Sequence, residues 1–148
     1  MTKFFSASPI WQPQGLAIIR IVIGAFLIYH GWEIFDADKM NEYLKWDMFK
    51  NGSGKFLAYS GKASELIAGI LFFFGFLTRL ASLLTLGVMF YITFILGKGL
   101  IWYEDQYPFL FMLLALVFFF TGAGRLSVDH LLFKKNITNY AGYYTGKP

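Results

Sequence analysis

Four long apolar runs, separated by short polar stretches, set the pattern of the chain. The first reads LAIIRIVIGAFLIYHGWEIF, from Leu16 to Phe35. A helix rises about 1.5 Å per residue, so this run reaches roughly 30 Å, the thickness of a bilayer's hydrocarbon core. The others lie at about 60–77, 80–96 and 107–122. The second is plainly apolar only from Ala63 to Leu77, so its helix is expected to start upstream, near Lys55 or Ser60. Thr78-Arg79 makes a very short link to the third run. Pro108 opens the fourth, in a first turn that tolerates proline. The pattern predicts an all-α fold: a polytopic four-helix transmembrane bundle, in one domain over residues 1–148, with short interfacial helices.

Two amphipathic stretches predict those interfacial helices. Asp36 to Lys62 carries four acids and five lysines, with Met40, Tyr43, Leu44 and Met48 at near-helical spacing. It predicts a surface helix from Asp38 to Lys50, with Trp46 and Phe49 at headgroup level, ended by Asn51-Gly52-Ser53-Gly54. The second stretch, GRLSVDHLLFKK from Gly124, predicts a short helix over Ser127–Lys134 at the opposite face, with Ser127 as N-cap and a loose polar tail beyond.

Composition changes the picture only by narrowing it. Of 148 residues 57% are apolar, 18 are Phe and only 15% are charged, a surplus that a soluble core of this size does not need. The outer faces, including Phe72 to Phe74 and Phe118 to Phe120, are expected to meet lipid, or a neighbouring membrane protein. The absence of cysteine excludes disulfides, CxxC redox chemistry and cysteine-held clusters within the chain. A net charge of +4, spread along the sequence, gives no footprint for nucleic acid. Lysine and arginine divide seven to six between the two sides, so the positive-inside rule is nearly silent. Four spans put both termini on one side, expected to be the cytoplasmic one.

The ionisable residues inside the spans are the candidate chemistry, because charge within a membrane is costly. Arg20 lies about a turn from one end of its span, where a long cationic side chain is expected to snorkel to the interface. His30 and Glu33 are three residues apart and share a helix face. Gly61, Glu65, Gly69 and Phe72 share a stripe on the second helix, which suits close approach by a neighbour. On adjacent antiparallel helices, His30, Glu33 and Glu65 reach a similar depth, with Tyr29 and Trp32 nearby. Two readings stand side by side. In one, the cluster binds a quinone or other amphipathic ligand: histidine donates to a carbonyl, the carboxyl exchanges protons, and aromatics line the ring. In the other, Glu65 bonds His30 and ties two helices together. Haem held by two histidines is excluded, since His30 and His130 fall at opposite faces, roughly 30 Å apart. A metal on His30, Glu33 and Glu65 is chemically conceivable, but the apolar crowding argues against one.

Several motifs carry a resemblance. They are Arg20-Ile21-Val22-Ile23-Gly24, Tyr29-His30-Gly31-Trp32-Glu33, Ser64-Glu65-Leu66 with Gly69, Gly75-Phe76-Leu77-Thr78-Arg79-Leu80-Ala81, and the segment from Gly122 to Leu132. In this order and spacing the chain resembles the DoxX family of small four-helix membrane proteins. Where that family often has lysine after its HGW-like motif, this chain has Glu33, with Lys39 later. The family takes its name from a small subunit of a thiosulfate:quinone oxidoreductase. The resemblance therefore implies a multi-pass protein of a bacterial-type inner membrane, working with other membrane subunits. No cofactor is expected within the chain itself, and a quinone is the expected ligand. The alternative is a non-catalytic scaffold or assembly subunit. Arg20, Arg79, Arg125 and Asp129 are expected to serve structure.

Overall fold

The computed structural model describes residues 11–50 and 52–133. Apolar sequence long enough to reach across a bilayer becomes helix, because only helical backbone satisfies its own polar groups in lipid. Helix α1 spans Gln12–Gly31 and tightens into a 3-10 turn at Trp32–Phe35. Helix α2 is Ala37–Leu44, followed by a 3-10 turn at Asp47–Phe49. Helix α3 is Gly54–Phe74, and α4 is Thr78–Tyr91, continued by a π-helical turn at Ile92–Leu96. Helix α5 is Gln106–Thr121. Three of these segments, Gln12–Phe35, Gly54–Phe74 and Thr78–Leu96, are long and apolar enough to cross a membrane, and Gln106–Thr121 is a shorter apolar helix. The protein is an all-α polytopic bundle.

The surface helix is shorter than the sequence pattern implied. Asp36 starts α2, its carboxylate accepting from the N–H groups of Asp38 and Lys39, both at 3.1 Å. The helix stops at Leu44, and the chain then folds down so that Phe49 is buried with Met40 and Ala58. Phe49 therefore packs on α3 instead of lying among headgroups. At the other end of the sequence, residues 128–133 are helical and Ser127 is the N-cap, its Oγ accepting from His130 N–H at 3.1 Å. Lys134 and the expected loose tail lie outside the described residues.

The bundle is held closest where α1 meets α3. A Cβ placed on Gly24 would stand 2.6 Å from the Phe73 backbone nitrogen, and one on Gly69 would stand 2.6 Å from that of Ile28. Gly31 sits against the Leu66 backbone in the same way. Glycine here is a packing requirement, since any side chain would push the helices apart. Gly61, expected on the same contact stripe, has open space at its Cβ position. Above these contacts a single core joins the helices: Ile23 and Leu27 of α1, Ala68 and Phe72 of α3, Ala81 and Met89 of α4, and Phe118 of α5. Phe72 and Phe118 pack edge to face, with centroids 5.7 Å apart. These two rings are thus interior; Phe73, Phe74 and Phe120 are the exposed ones.

One end of the bundle is organised by two charges. Arg20 does not snorkel: it is 1% exposed and turns inward. Its guanidinium donates to Phe72 O at 3.1 Å, in the last turn of α3, and to Leu126 O at 2.6 Å. A cation suits the carbonyl-rich end of a helix. Gly75, at φ 66°, ends α3 and leaves room for that guanidinium. Phe76 N–H returns to Leu71 O at 2.9 Å, the six-to-one bond that closes such an end. Asp129 reaches the start of α4 from far along the chain, accepting from Leu77 N–H at 2.7 Å and Thr78 N–H at 3.0 Å. It thereby holds Leu77 in its left-handed conformation, φ 47°. Arg79 and Arg125 are exposed and form no ion pair among the described residues.

Two glycines on one helix should answer oppositely to substitution. Gly69→Ala should lower stability by about 1–3 kcal/mol, the range for overpacking a tight contact. Gly61→Ala should be neutral or raise it by about 0.5–1 kcal/mol, through helix propensity alone. Asp129→Ala should cost about 1 kcal/mol, as loss of a capping side chain does. Unfolding in mild detergent, monitored by circular dichroism, reads all three.

Candidate functional site

The opposite end of the bundle holds a cavity of about 440 Å³. That is within the size range of small-ligand sites. Leu27 and His30 of α1 form one wall, and Ala58, Gly61 and Glu65 of α3 another. Met89, Ile92 and Leu96 of α4 and its π-helical turn face them, and Tyr107 and Phe111 of α5 line the remaining side of what is an open cleft. Tyr43, Trp46 and Phe49 line the membrane-surface side. The π-helical turn matters here because an extra residue per turn re-aims side chains. It follows a regular helix whose upper part belongs to the core. The cavity is apolar over most of its surface, with its charged residues on the α3 wall.

Those charged residues belong to a chain of ion pairs. Glu33, at the start of the 3-10 turn after α1, accepts from three groups. Lys39 Nζ is 3.0 Å from its Oε1, while Tyr43 OH and Lys62 Nζ lie 2.7 and 2.9 Å from its Oε2. Lys62 also reaches Glu65 Oε2 at 3.1 Å, one turn along α3, and sits 5.0 Å from the centre of the Tyr43 ring. The order Lys39–Glu33–Lys62–Glu65 runs from an exposed surface inward, since the Lys39 side chain is 45% exposed and that of Glu65 only 5%. It links α1, α2 and α3. Each carboxylate has a cation, which is the condition for tolerating them so near lipid.

The sequence-expected residues divide between this cavity and the outside. His30 and Glu65 both line the cavity. No hydrogen bond joins them among the described residues; the group that bonds Glu65 is Lys62. The expected His30–Glu65 tie is replaced by an i, i+3 ion pair within α3, which is geometrically easier than a bond across two helices. Glu33 lies behind Lys62 and supports it. Tyr29 and Trp32 do not line the cavity. They are 68% and 63% exposed and border a separate outer groove with Ala25, Phe35 and Lys39. The aromatic residues of the cavity are Tyr43, Trp46, Phe49, Tyr91, Tyr107 and Phe111. Lys62 was the missed residue. Its three-residue spacing from Glu65 was the signal that could have found it.

The matched portion of the sequence covers this geometry. The DoxX family profile matches residues 15–98, from α1 through the π-helical turn. The chain belongs to the DoxX family. DoxX proteins are generally small membrane proteins, in agreement with the apolar helices. An uncharacterized protein of Haemophilus influenzae is 29% identical over 136 residues, covering 84% of this chain and 96% of its own. No solved structure matches. The polar chain and most of the cavity wall fall within the DoxX match; α5, which adds one side of the cavity, lies beyond it.

Lys62 is the member whose loss should hurt most. Lys62→Met leaves Glu65 buried without a cation and should cost about 3–5 kcal/mol, the cost of breaking a buried pair. The double variant Lys62→Met/Glu65→Gln should recover much of that. Chemical unfolding in mild detergent measures both. The surface members add a pH dependence. Burial, then the bond to Glu33, pushes the Tyr43 hydroxyl above its ordinary pKa. The bond to Glu33 raises Lys39 likewise. Both groups hold their protons to higher pH when folded, so their contribution is whole below the unfolded pKa values and is lost as pH rises through the folded ones. Stability should hold to about pH 10 and fall above it. Tyr43→Phe should reduce the steepness of that fall in an alkaline unfolding series.

Proposed function

We propose that this DoxX-family chain is a small membrane subunit whose cavity takes an amphipathic ligand, with a quinone as the leading candidate. The observation that carries the reading is the cavity itself: about 440 Å³, apolar over most of its lining, with His30, Lys62 and Glu65 on the walls formed by α1 and α3. A quinone has the matching form, an apolar ring and tail with carbonyls at one edge. His30 can donate to such a carbonyl, and Glu65 can exchange a proton with a reduced head. Among the side chains of this chain only tyrosine and tryptophan could carry a single electron. The redox cofactor therefore belongs to a partner subunit in the membrane. We place the protein in a bacterial-type inner membrane with both termini in the cytoplasm, which sets the cavity toward the opposite face. The second reading, a non-catalytic scaffold, is supported by the way the Lys39–Glu33–Lys62–Glu65 chain links three helices.

Gly61 gives a clean test, because it faces the cavity and has open space at its Cβ position. Gly61→Leu should fill the cavity without straining the fold. Protein purified from native membranes in mild detergent should carry bound quinone, detected by extraction and mass spectrometry. Gly61→Leu should lose at least about 90% of it, a tenfold weakening of roughly 1.4 kcal/mol, while its unfolding midpoint stays level or rises. Quinone absent from the wild type, or retained equally by Gly61→Leu, would favour the scaffold.

A further inference from the structure

We propose that the cavity admits amphiphiles with an uncharged hydrogen-bonding head and rejects anionic ones, because the ammonium on its wall is already paired with two carboxylates. This rests on the reading of the cavity as a ligand site and narrows the class of ligand.

Two charged residues line the cavity among the described residues, Lys62 and Glu65. The Nζ of Lys62 lies 2.9 Å from Glu33 Oε2 and 3.1 Å from Glu65 Oε2, with the centre of the Tyr43 ring 5.0 Å away. Lys39 cannot serve instead, since it meets Glu33 from the outer side at 3.0 Å and lines the outer groove. Two lysines and two carboxylates thus neutralise one another. An incoming sulfate, phosphate or carboxylate would find no unpaired cation there. It would have to approach the Glu65 carboxylate, which is itself 5% exposed, and like charges brought together there are disfavoured. An uncharged head meets the opposite situation. A hydroxyl can donate to Glu65 and a carbonyl can accept from His30. The apolar wall formed by Leu27, Ile92, Leu96 and Phe111 then receives the tail. Charge balance on the α3 wall is thus a filter acting on the bilayer's own contents, where anionic headgroups would otherwise compete for any amphiphile site.

Photolabelling of the full chain in phosphatidylcholine nanodiscs tests this. Two probes share one alkyl tail with a diazirine at the same carbon. One ends in a hydroxyl and the other in a sulfate, which stays charged at every pH used. Labelled peptides are mapped by mass spectrometry. In the wild type the alcohol should label the wall around Tyr91 and Leu96 roughly tenfold more than the sulfate. Glu65→Gln should raise sulfate labelling several-fold by leaving an excess positive charge. Glu33→Gln frees the same ammonium from behind and serves if Glu65→Gln does not fold. Equal labelling of the wall by both probes in the wild type overturns the filter and leaves the ligand cavity standing. No gain in sulfate labelling in a folded variant also overturns it. Labelling of the wall by neither probe overturns the ligand cavity itself.

Discussion

Backbone contact between α1 and α3 through glycine is the constraint on which the rest of the bundle depends. Inside a bilayer there is little hydrophobic gain in bringing helices together, so close packing has to supply the attraction. Gly24, Gly31 and Gly69 let the two backbones touch from the level of Phe73 to that of Leu66. Once α1 lies that near α3, Glu33 at its end comes within 2.9 Å of Lys62. The ion chain is a consequence of the glycine contact, and α2 is drawn onto α3 by the same chain through Lys39 and Tyr43. Polar bonds between membrane helices average only about 0.6 kcal/mol, so they fix register and identity more than they hold the helices together.

The same residue type makes the cavity by doing the opposite. Gly61 and Gly87 also lack a side chain, but no neighbour comes close enough to fill the space they leave. Both line the cavity. With the π-helical turn in α4 and the short, proline-opened α5, these unfilled positions open one end of a bundle that is tightly packed in its middle. Tight glycines set the frame and open glycines set the void, and the difference lies in which helix stands opposite.

Charge follows an equally economical rule at the other end. Arg20 stands at the carbonyl-rich end of α3, and Asp129 at the amide-rich start of α4. Each ion satisfies backbone groups that a helix end leaves without partners. Two residues that would be costly alone thus join the ends of the apolar helices to the segment after α5. That end has its polar groups turned into the backbone, and the other end has them turned toward a cavity.

The sequence by itself determined the helices. Lipid thickness fixes the length of an apolar run and hydrogen bonding fixes its conformation, so the four runs, the Ser127 cap and the family motifs could be read without any knowledge of contacts. It also put His30 and Glu65 at one depth, because depth follows from position along a span. The rotation of each helix about its own axis was decided by tertiary packing alone. That rotation turned Arg20 inward, sent Tyr29 and Trp32 outward, buried Phe72 and Phe118, and gave Glu65 to Lys62 instead of His30. Helical periodicity says which residues share a face, but which neighbour that face meets depends on how several helices pack at once, and side chains far apart in sequence settle it together.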